Sequence, residues 1–253
     1  MITDVRESRL LVTSDTHIGN LFCDARPGFI RLLDFARTNN YNVCINGDGI
    51  DVLQTSVRKM TGETPALLRE FRRIASDITI YYTIGNHDII LEHCLGDWGG
   101  LRFVPFLNVT SGTKRIRIEH GHLYDLFLMK HPEWQPRLTR FIGFCARLHP
   151  GLYRLDEFFK TLRYRHFAKW LGGDRARRRV PGERDDEHPS FLEAAEELSQ
   201  RGFDYVIFGH THHEGILPLN NNRASYVNPG GWFRQPHYIL ITEGDVQLKP
   251  WRG

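Results

Sequence analysis

The chain has 253 residues, 41% of them hydrophobic, and a formal net charge of +3. That length suits one α/β domain carrying an insertion, or two small domains, with enough apolar content for a sizeable core. No apolar run approaches the ~20 residues of a spanning helix, the opening MITDVRESRLLVTSD is charged too early for a signal peptide, and the cysteines form no C-x-x-C pair and read as free thiols of a reducing, cytoplasmic compartment.

In chain order, six short β-branched runs end near Gly, Asp or Asn. They are LLVTSD at 10–15, YNVCINGD at 41–48, ITIYYTIGNHD at 78–88, RIRIEHGH at 115–122, YVIFGH at 205–210 and ASYVN at 224–228. Continuous apolar runs of this kind predict strands buried on both faces. Helical patterns alternate with them. Pro27 suits a first helical turn, and Phe29, Ile30, Leu33 and Ala36 follow at helical spacing. TPALLREFRRIAS at 64–76 repeats the pattern. SFLEAAEELSQR at 190–201 opens on Ser190 and Glu193, which read as a capping box, and stops at Gly202. The alternation predicts an α/β layered sheet.

Residues 125–188 break this rhythm. Leu138, Phe141, Ile142, Cys145 and Leu148, then Phe158, Phe159, Leu162, His166 and Trp170, recur at helical spacing. They predict two or three helices, inserted as a cap between core segments 1–124 and 189–253. From Lys130 to Val180 there are 13 Lys and Arg against 4 Asp and Glu, a local +9 that leaves −6 for the rest. A basic insert in an acidic frame suits an anionic partner; a solvated helical face is the plainer alternative.

Chemistry gathers just past five of the predicted strands. Asp15-Thr16-His17 follows the first, Gly47-Asp48 and Asp51 the second, Gly85-Asn86-His87-Asp88 the third, His120-Gly121-His122 the fourth and His210-Thr211-His212 the fifth. Each pattern alone is weak: an Asn-His-Asp is commonly a turn or cap. Two histidines at i and i+2 of an extended segment point to opposite sides unless the segment turns. Jointly, at the strand ends where open α/β sheets bind ligands, they point to metal. Gly-x-Ser-x-Gly and P-loop motifs are absent. Oxygen donors mixed with imidazole suit Mn²⁺, Fe²⁺ or Zn²⁺. The donors are too many for one tetrahedral zinc, whereas two ions about 3.5–4 Å apart, bridged by a carboxylate, activate water and neutralise a phosphate.

The set D-x-H, G-D-x-x-D, G-N-H-D, H-G-H and G-H-T-H resembles the calcineurin-like metallophosphoesterase superfamily over residues 10–122 and 203–248. The resemblance implies a four-layer α-β-β-α sandwich with a dinuclear centre at one edge. It implies that Asp15, His17 and His212 hold a first divalent ion, that Asn86, His120 and His210 hold a second, and that Asp48 bridges them. Manganese is the expected metal, with iron or zinc as alternatives. His87 matches the catalytic histidine that meets the substrate phosphate. Asp51 matches the residue that orients it, with Asp88 a rival for that role. His122 is expected at the site edge toward the substrate and is a rival to His87 as general acid. Asn228 and Trp232 are expected to close one wall, and His213 and Glu214 to lie outside the ligand shell.

Within the superfamily, the distance from His120 to His210 and the helical basic insert look like the UDP-2,3-diacylglucosamine hydrolases of lipid A synthesis. These cleave a pyrophosphate and hold acyl chains under a helical cap. The resemblance implies a phosphorylated lipid-nucleotide substrate, release of UMP, a peripheral place on an anionic inner-membrane surface, and no obligate protein partner. This chain carries His87 and His122 where many of that subgroup carry Arg and a carboxylate. Two other readings remain open: a phosphodiesterase or phosphatase for nucleotides or nucleic acid, its basic insert tracking a phosphate backbone, and a non-catalytic scaffold.

Overall fold

Strand β2 (Arg9–Thr13) shows how the layers arise. Leu10 and Val12 point to one side and Leu11 to the other, as the two-residue repeat of a strand requires, and all three are fully buried. A strand apolar on both faces must be covered twice. Here one cover is a second sheet and the other is helical.

The computed structural model describes residues 3–20, 23–51, 57–125 and 187–253, with the backbone alone for 57–64. After β1 (Asp4–Arg6) and β2 come α1 (Arg26–Thr38), β3 (Asn42–Asn46), α2 (Val57–Ala75), β4 (Ile80–Thr83), β5 (Gly96–Asp97), β6 (Leu101–Val104), β7 (Leu107–Ser111) and β8 (Lys114–Ile118). Then follow α3 (Pro189–Gln200), β9 (Tyr205–Ile207), β10 (Gly215–Leu219), β11 (Ala224–Asn228), β12 (His237–Thr242) and β13 (Asp245–Pro250). The cap expected over 125–188 lies outside the described residues except at its two ends.

One sheet has seven strands in the order β13-β12-β2-β3-β4-β6-β5, the other six in the order β1-β7-β8-β9-β11-β10. Between them lie Leu10, Val12, Cys44 and Tyr81 from the first and Val109, Ile116, Ile118, Ile207 and Val227 from the second. On the outer face of the seven-stranded sheet, Leu11, Val43, Ile45 and Tyr82 meet Phe29, Leu32 and Leu33 of α1 and Phe71 and Ile74 of α2. On the outer face of the six-stranded sheet, Phe191, Ala195 and Leu198 of α3 cover Val206, Phe208 and Tyr226. The expected α-β-β-α sandwich is therefore present, with three apolar interfaces. Each fully buried Leu or Ile contributes about 1.5–3 kcal/mol by leaving water.

Helix α1 buries Phe29, Leu32, Leu33 and Ala36, with Pro27 in its first turn. The capping box expected at Ser190 is not formed. Pro189 opens α3, so the cap falls on His188, whose side chain accepts the Ser190 N–H. The Ser190 hydroxyl instead donates to the Tyr124 carbonyl at 2.8 Å. Gly202 ends the helix at φ +91°, as expected of a stop glycine. Cys23, Cys44 and Cys94 are free thiols. Among the described residues, no helix is long and apolar enough to cross a membrane.

Candidate metal centre

The parallel trio β2, β3 and β4 ends level, with Thr13 beside Ile45 and Asn46 beside Thr83. In the other sheet β8 and β9 run parallel and pair Ile118 with Ile207. Asp15 and His17 follow β2, Asp48 and Asp51 follow β3, Asn86 and His87 follow β4, His120 follows β8, and His210 and His212 follow β9. Three strand ends of one sheet and two of the other thus open onto one rim.

Reaching it demands unusual backbone. Asp15, His17, Asp48, His210 and His212 all have φ between 45° and 67°, a left-handed conformation that costs non-glycine residues about 1–3 kcal/mol each and collects at functional sites. It also resolves the i, i+2 spacing of His210 and His212. The Thr211 N–H donates to the Gly209 carbonyl at 2.8 Å, and this tight turn lets both imidazoles face the rim.

Three groups place their donor atoms within 4.8 Å of one another: Asp15, His17 and His212; Asp48, His120 and His210; and His17, Asp48 and His87. In the first, His212 Nε2 lies 3.2 Å from Asp15 Oδ1 and 3.2 Å from His17 Nε2. In the second, His120 Nε2 lies 3.3 Å from Asp48 Oδ2, and Asn86 Oδ1 lies 2.8 Å from His210 Nδ1 and 3.3 Å from His120 Nε2. Asp48 Oδ2 is 3.9 Å from His17 Nε2, so it stands between the groups.

The donor chemistry fits divalent ions. His120 Nδ1 donates to the Asn46 carbonyl at 2.9 Å, which leaves the Nε2 lone pair of the neutral ring facing Asp48 and Asn86. Such an arrangement of lone pairs against lone pairs needs a proton or a cation between them. Without an ion a proton does this work. Burial lowers the His120 pKa, but Asp48 and Asp15 outweigh it and carry it up to about 10. Burial likewise raises Asp15, but His120 and His212 hold it down at about 2. Asp48 is buried too, and His120 and His87 still hold it well below the carboxylate range.

The remaining predicted residues divide. His87 Nδ1 lies 3.3 Å from Asp51 Oδ1, and Asp51 also accepts the Asn20 amide at 2.7 Å. Asp88 turns away from His87: its carboxylate accepts the Gly85 and Gly49 N–H groups at 2.7 and 3.0 Å and the Tyr82 hydroxyl. Burial and Asp48 push its pKa up to about 6. The His122 ring lies tilted beside that of His120, ring centres 5.5 Å apart. Burial first, then His120 and His210, lower its pKa to about 3. His213 and Glu214 are exposed. Trp232 is placed in the core, donating from Nε1 to Thr13 Oγ1 at 3.0 Å and packing on Phe29. Its neighbour Phe233 lies against the site instead, 5.0 Å from His17 and 5.6 Å from His212, as Phe191 does against His210 at 5.8 Å. Asn228 is fully buried and braces the turn, its amide donating to Thr211 Oγ1 at 2.9 Å and its oxygen accepting the Gly230 N–H at 2.8 Å.

Sequence reasoning passed over Phe233, which Trp232 overshadowed, and Asp125, whose Oδ2 lies 3.2 Å from His210 Nε2. Asp125 was assigned to the insert, although it stands three residues beyond His122 in the same strand-end segment.

Glycine is required at position 85. A Cβ there would sit 2.2 Å from Asp48 Oδ1. Gly85→Ala is expected to displace that carboxylate. Activity on bis-p-nitrophenyl phosphate should fall on the order of 100-fold, as for a ~1 Å misplacement. Urea unfolding should show a loss of about 1–3 kcal/mol from overpacking.

A family model described as Calcineurin-like phosphoesterase matches residues 8–214. A UDP-2,3-diacylglucosamine hydrolase of Shewanella sp. (strain MR-7) is 23% identical over 267 residues, covering 95% of this chain and 97% of that protein. Another of that name from Bordetella pertussis (strain Tohama I) is 25% identical over 218 residues, covering 80% and 76%. Among solved structures, a novel archaeal phosphodiesterase superposes with a TM-score of 0.46 at 14% identity, covering 96% of this chain and 99% of its own. Vacuolar protein sorting 29 from Cryptosporidium parvum gives a TM-score of 0.46 at 14% identity, covering 96% of each.

Proposed function

Because the chain belongs to the calcineurin-like phosphoesterase family and is a metal-dependent phosphoesterase, we propose that it works with two divalent ions and hydrolyses the pyrophosphate of a lipid-linked nucleotide of the UDP-2,3-diacylglucosamine type, releasing UMP. The observation that carries the dinuclear reading is the convergence of donor groups from five strand ends, with Asp48 between two sets. Asp15, His17 and His212 would hold one ion and Asn86, His120 and His210 the other, with Asp48 shared. When bound, such ions supply Lewis-acid charge to phosphate oxygens and make a water acidic enough to attack at neutral pH.

The chain's own residues then have distinct tasks. Asn46 keeps the His120 proton on Nδ1, so the Nε2 lone pair stays inward. Asp51 would hold His87 through Nδ1, 3.3 Å away, and a protonated ring would then serve a substrate oxygen from Nε2–H. The His87 side chain is 14% exposed; His212 is more open at 26%, but it would be taken up by the first ion, which leaves His87 to meet the substrate. His122, whose pKa burial lowers to about 3, is a neutral imidazole at neutral pH and lacks the acidic proton of an imidazolium.

The lipid-nucleotide substrate rests on two supports. The relatives so named extend over 95% and 80% of the chain, and the sequence between Lys130 and Val180 is basic and rich in aromatic residues. Lys and Arg near an anionic lipid surface contribute about 1 kcal/mol each, and buried acyl carbons about 0.8 kcal/mol per CH₂. Manganese-loaded protein given UDP-2,3-diacylglucosamine should release UMP, detected by chromatography. Absence of UMP together with brisk turnover of nucleotide or model diesters would remove the lipid substrate and favour the nucleotide phosphodiesterase.

A further inference from the structure

Asp125 and Glu187 are the last described residues on either side of segment 126–186, and both hold the turn that carries His210. Asp125 is 3% exposed, and its Oδ2 lies 3.2 Å from His210 Nε2. Glu187 Oε2 accepts three bonds: from Thr211 Oγ1 at 3.0 Å, Tyr226 Oη at 2.7 Å and the Asn228 amide at 3.4 Å.

A neutral imidazole has one N–H. If Asp125 takes it at Nε2, the lone pair is fixed on Nδ1, the atom 2.8 Å from Asn86 Oδ1. Carboxylates that hold the far N–H of a ligand histidine fix its tautomer and ring orientation. The backbone must be held as well, because His210 sits at φ 67°, a conformation that persists only where its surroundings enforce it. Glu187 supplies this through Thr211, the residue inside the turn. Hydrogen bonds to a charged acceptor are about twice as strong as neutral ones, so a single carboxylate oxygen anchors the turn firmly.

We propose that Asp125 and Glu187 are positioning residues for the ion held by His120, Asn86 and His210. Asp125 sets the tautomer and ring of His210, and Glu187 sets the turn. Asp125 thereby bears on one metal position and not on the other, where His17 and His212 face Asp15, whereas Glu187 bears on the turn that His210 and His212 share. The proposal rests on the dinuclear reading above.

The test is calorimetric titration of the full metal-free chain with Mn²⁺. Wild type should give two binding events. Asp125→Ala should weaken one of them about 10–100-fold, the usual effect of removing such a partner, and leave the other and the melting midpoint of the metal-free protein unchanged. Asp125→Asn, whose amide oxygen still accepts the Nε2–H, should restore part of the loss. Glu187→Gln should weaken both events without lowering the metal-free midpoint, because His210 and His212 share the turn it holds, and Asp125→Asn serves as the deciding variant if Asp125→Ala does not fold. Unchanged affinity in these variants, or equal weakening of both events with a lowered metal-free midpoint, would overturn the proposal. A wild type that binds fewer than two ions would overturn the dinuclear reading itself and the proposal with it, and the wild-type isotherm shows this before any variant is made.

Discussion

Asp48→Ala is expected to empty both metal positions and to bring phosphoesterase activity down to background. Asp48 contributes to two of the three donor groups, and its Oδ2 lies 3.3 Å from His120 Nε2 and 3.9 Å from His17 Nε2. Its other oxygen accepts the His87 N–H at 2.8 Å, so the same carboxylate aligns the loop that bears Asn86 and His87. Alanine removes a buried anion shared by both positions. It also removes the strongest influence raising the His120 pKa, and that buried imidazole would keep only Asp15, 4.0 Å away, as counter-charge. Asp48→Asn separates charge from shape, since its amide oxygen still accepts the His87 N–H. Metal content after equilibration with Mn²⁺ and dialysis, read by elemental analysis beside turnover of bis-p-nitrophenyl phosphate, should fall in both variants. The unfolding midpoint should fall more for alanine. A variant that keeps two ions per chain would refute the shared role of Asp48.

Four of the strands that carry the site, β2, β3, β4 and β9, were legible in the sequence because the layers bury both their faces; β8 alternates instead. LLVT, NVCIN and YVI are largely apolar runs, and each ends just before its ligand residues, the last two through a glycine. Other strands with one open face escaped notice. β7 buries Leu107, Val109 and Ser111 but not Asn108 and Thr110, and β13 reads D-V-Q-L-K-P with its charged and polar residues outward. Such alternation is a weaker mark than an apolar run. The residues that meet at the rim were legible, because their types at successive strand ends are those that metal chemistry favours. The residues behind it were not. Asn46 orients His120 through a backbone carbonyl, which any residue possesses. Trp232 and Phe233 are adjacent aromatic residues of the same loop, and only the fold sends one to Phe29 in the core and the other to His17 and His212. Asp88 and Asp51 compete in sequence for His87. The fold separates them by giving Asp88 two backbone N–H groups and a tyrosine hydroxyl to hold.

His87→Ala is expected to lower turnover by about 10²–10⁴, the range for loss of a general acid, while both ions remain. The geometry gives the reason. Asp51 lies beside His87 Nδ1 at 3.3 Å. Burial alone would raise the Asp51 pKa, but His87 and His17 hold it well below the carboxylate range, so the anion is present throughout the neutral range and holds the imidazole by Nδ1. The loss should depend on the leaving group. An ester of p-nitrophenol departs as a stable anion and needs little protonation, so its hydrolysis should suffer least, and an alkyl phosphodiester should suffer most. Asp51→Asn should repeat the pattern in milder form, because the amide still holds His87 but without charge. The alternative is built into the site, since His17, Asp48 and His87 also bring their donor atoms within 4.8 Å of one another. If His87 is a ligand, His87→Ala should lose about one ion per chain, and the rate should fall equally for both leaving groups. Metal content and the ratio of the two rates, measured on one preparation, therefore decide whether His87 gives a proton or binds a cation.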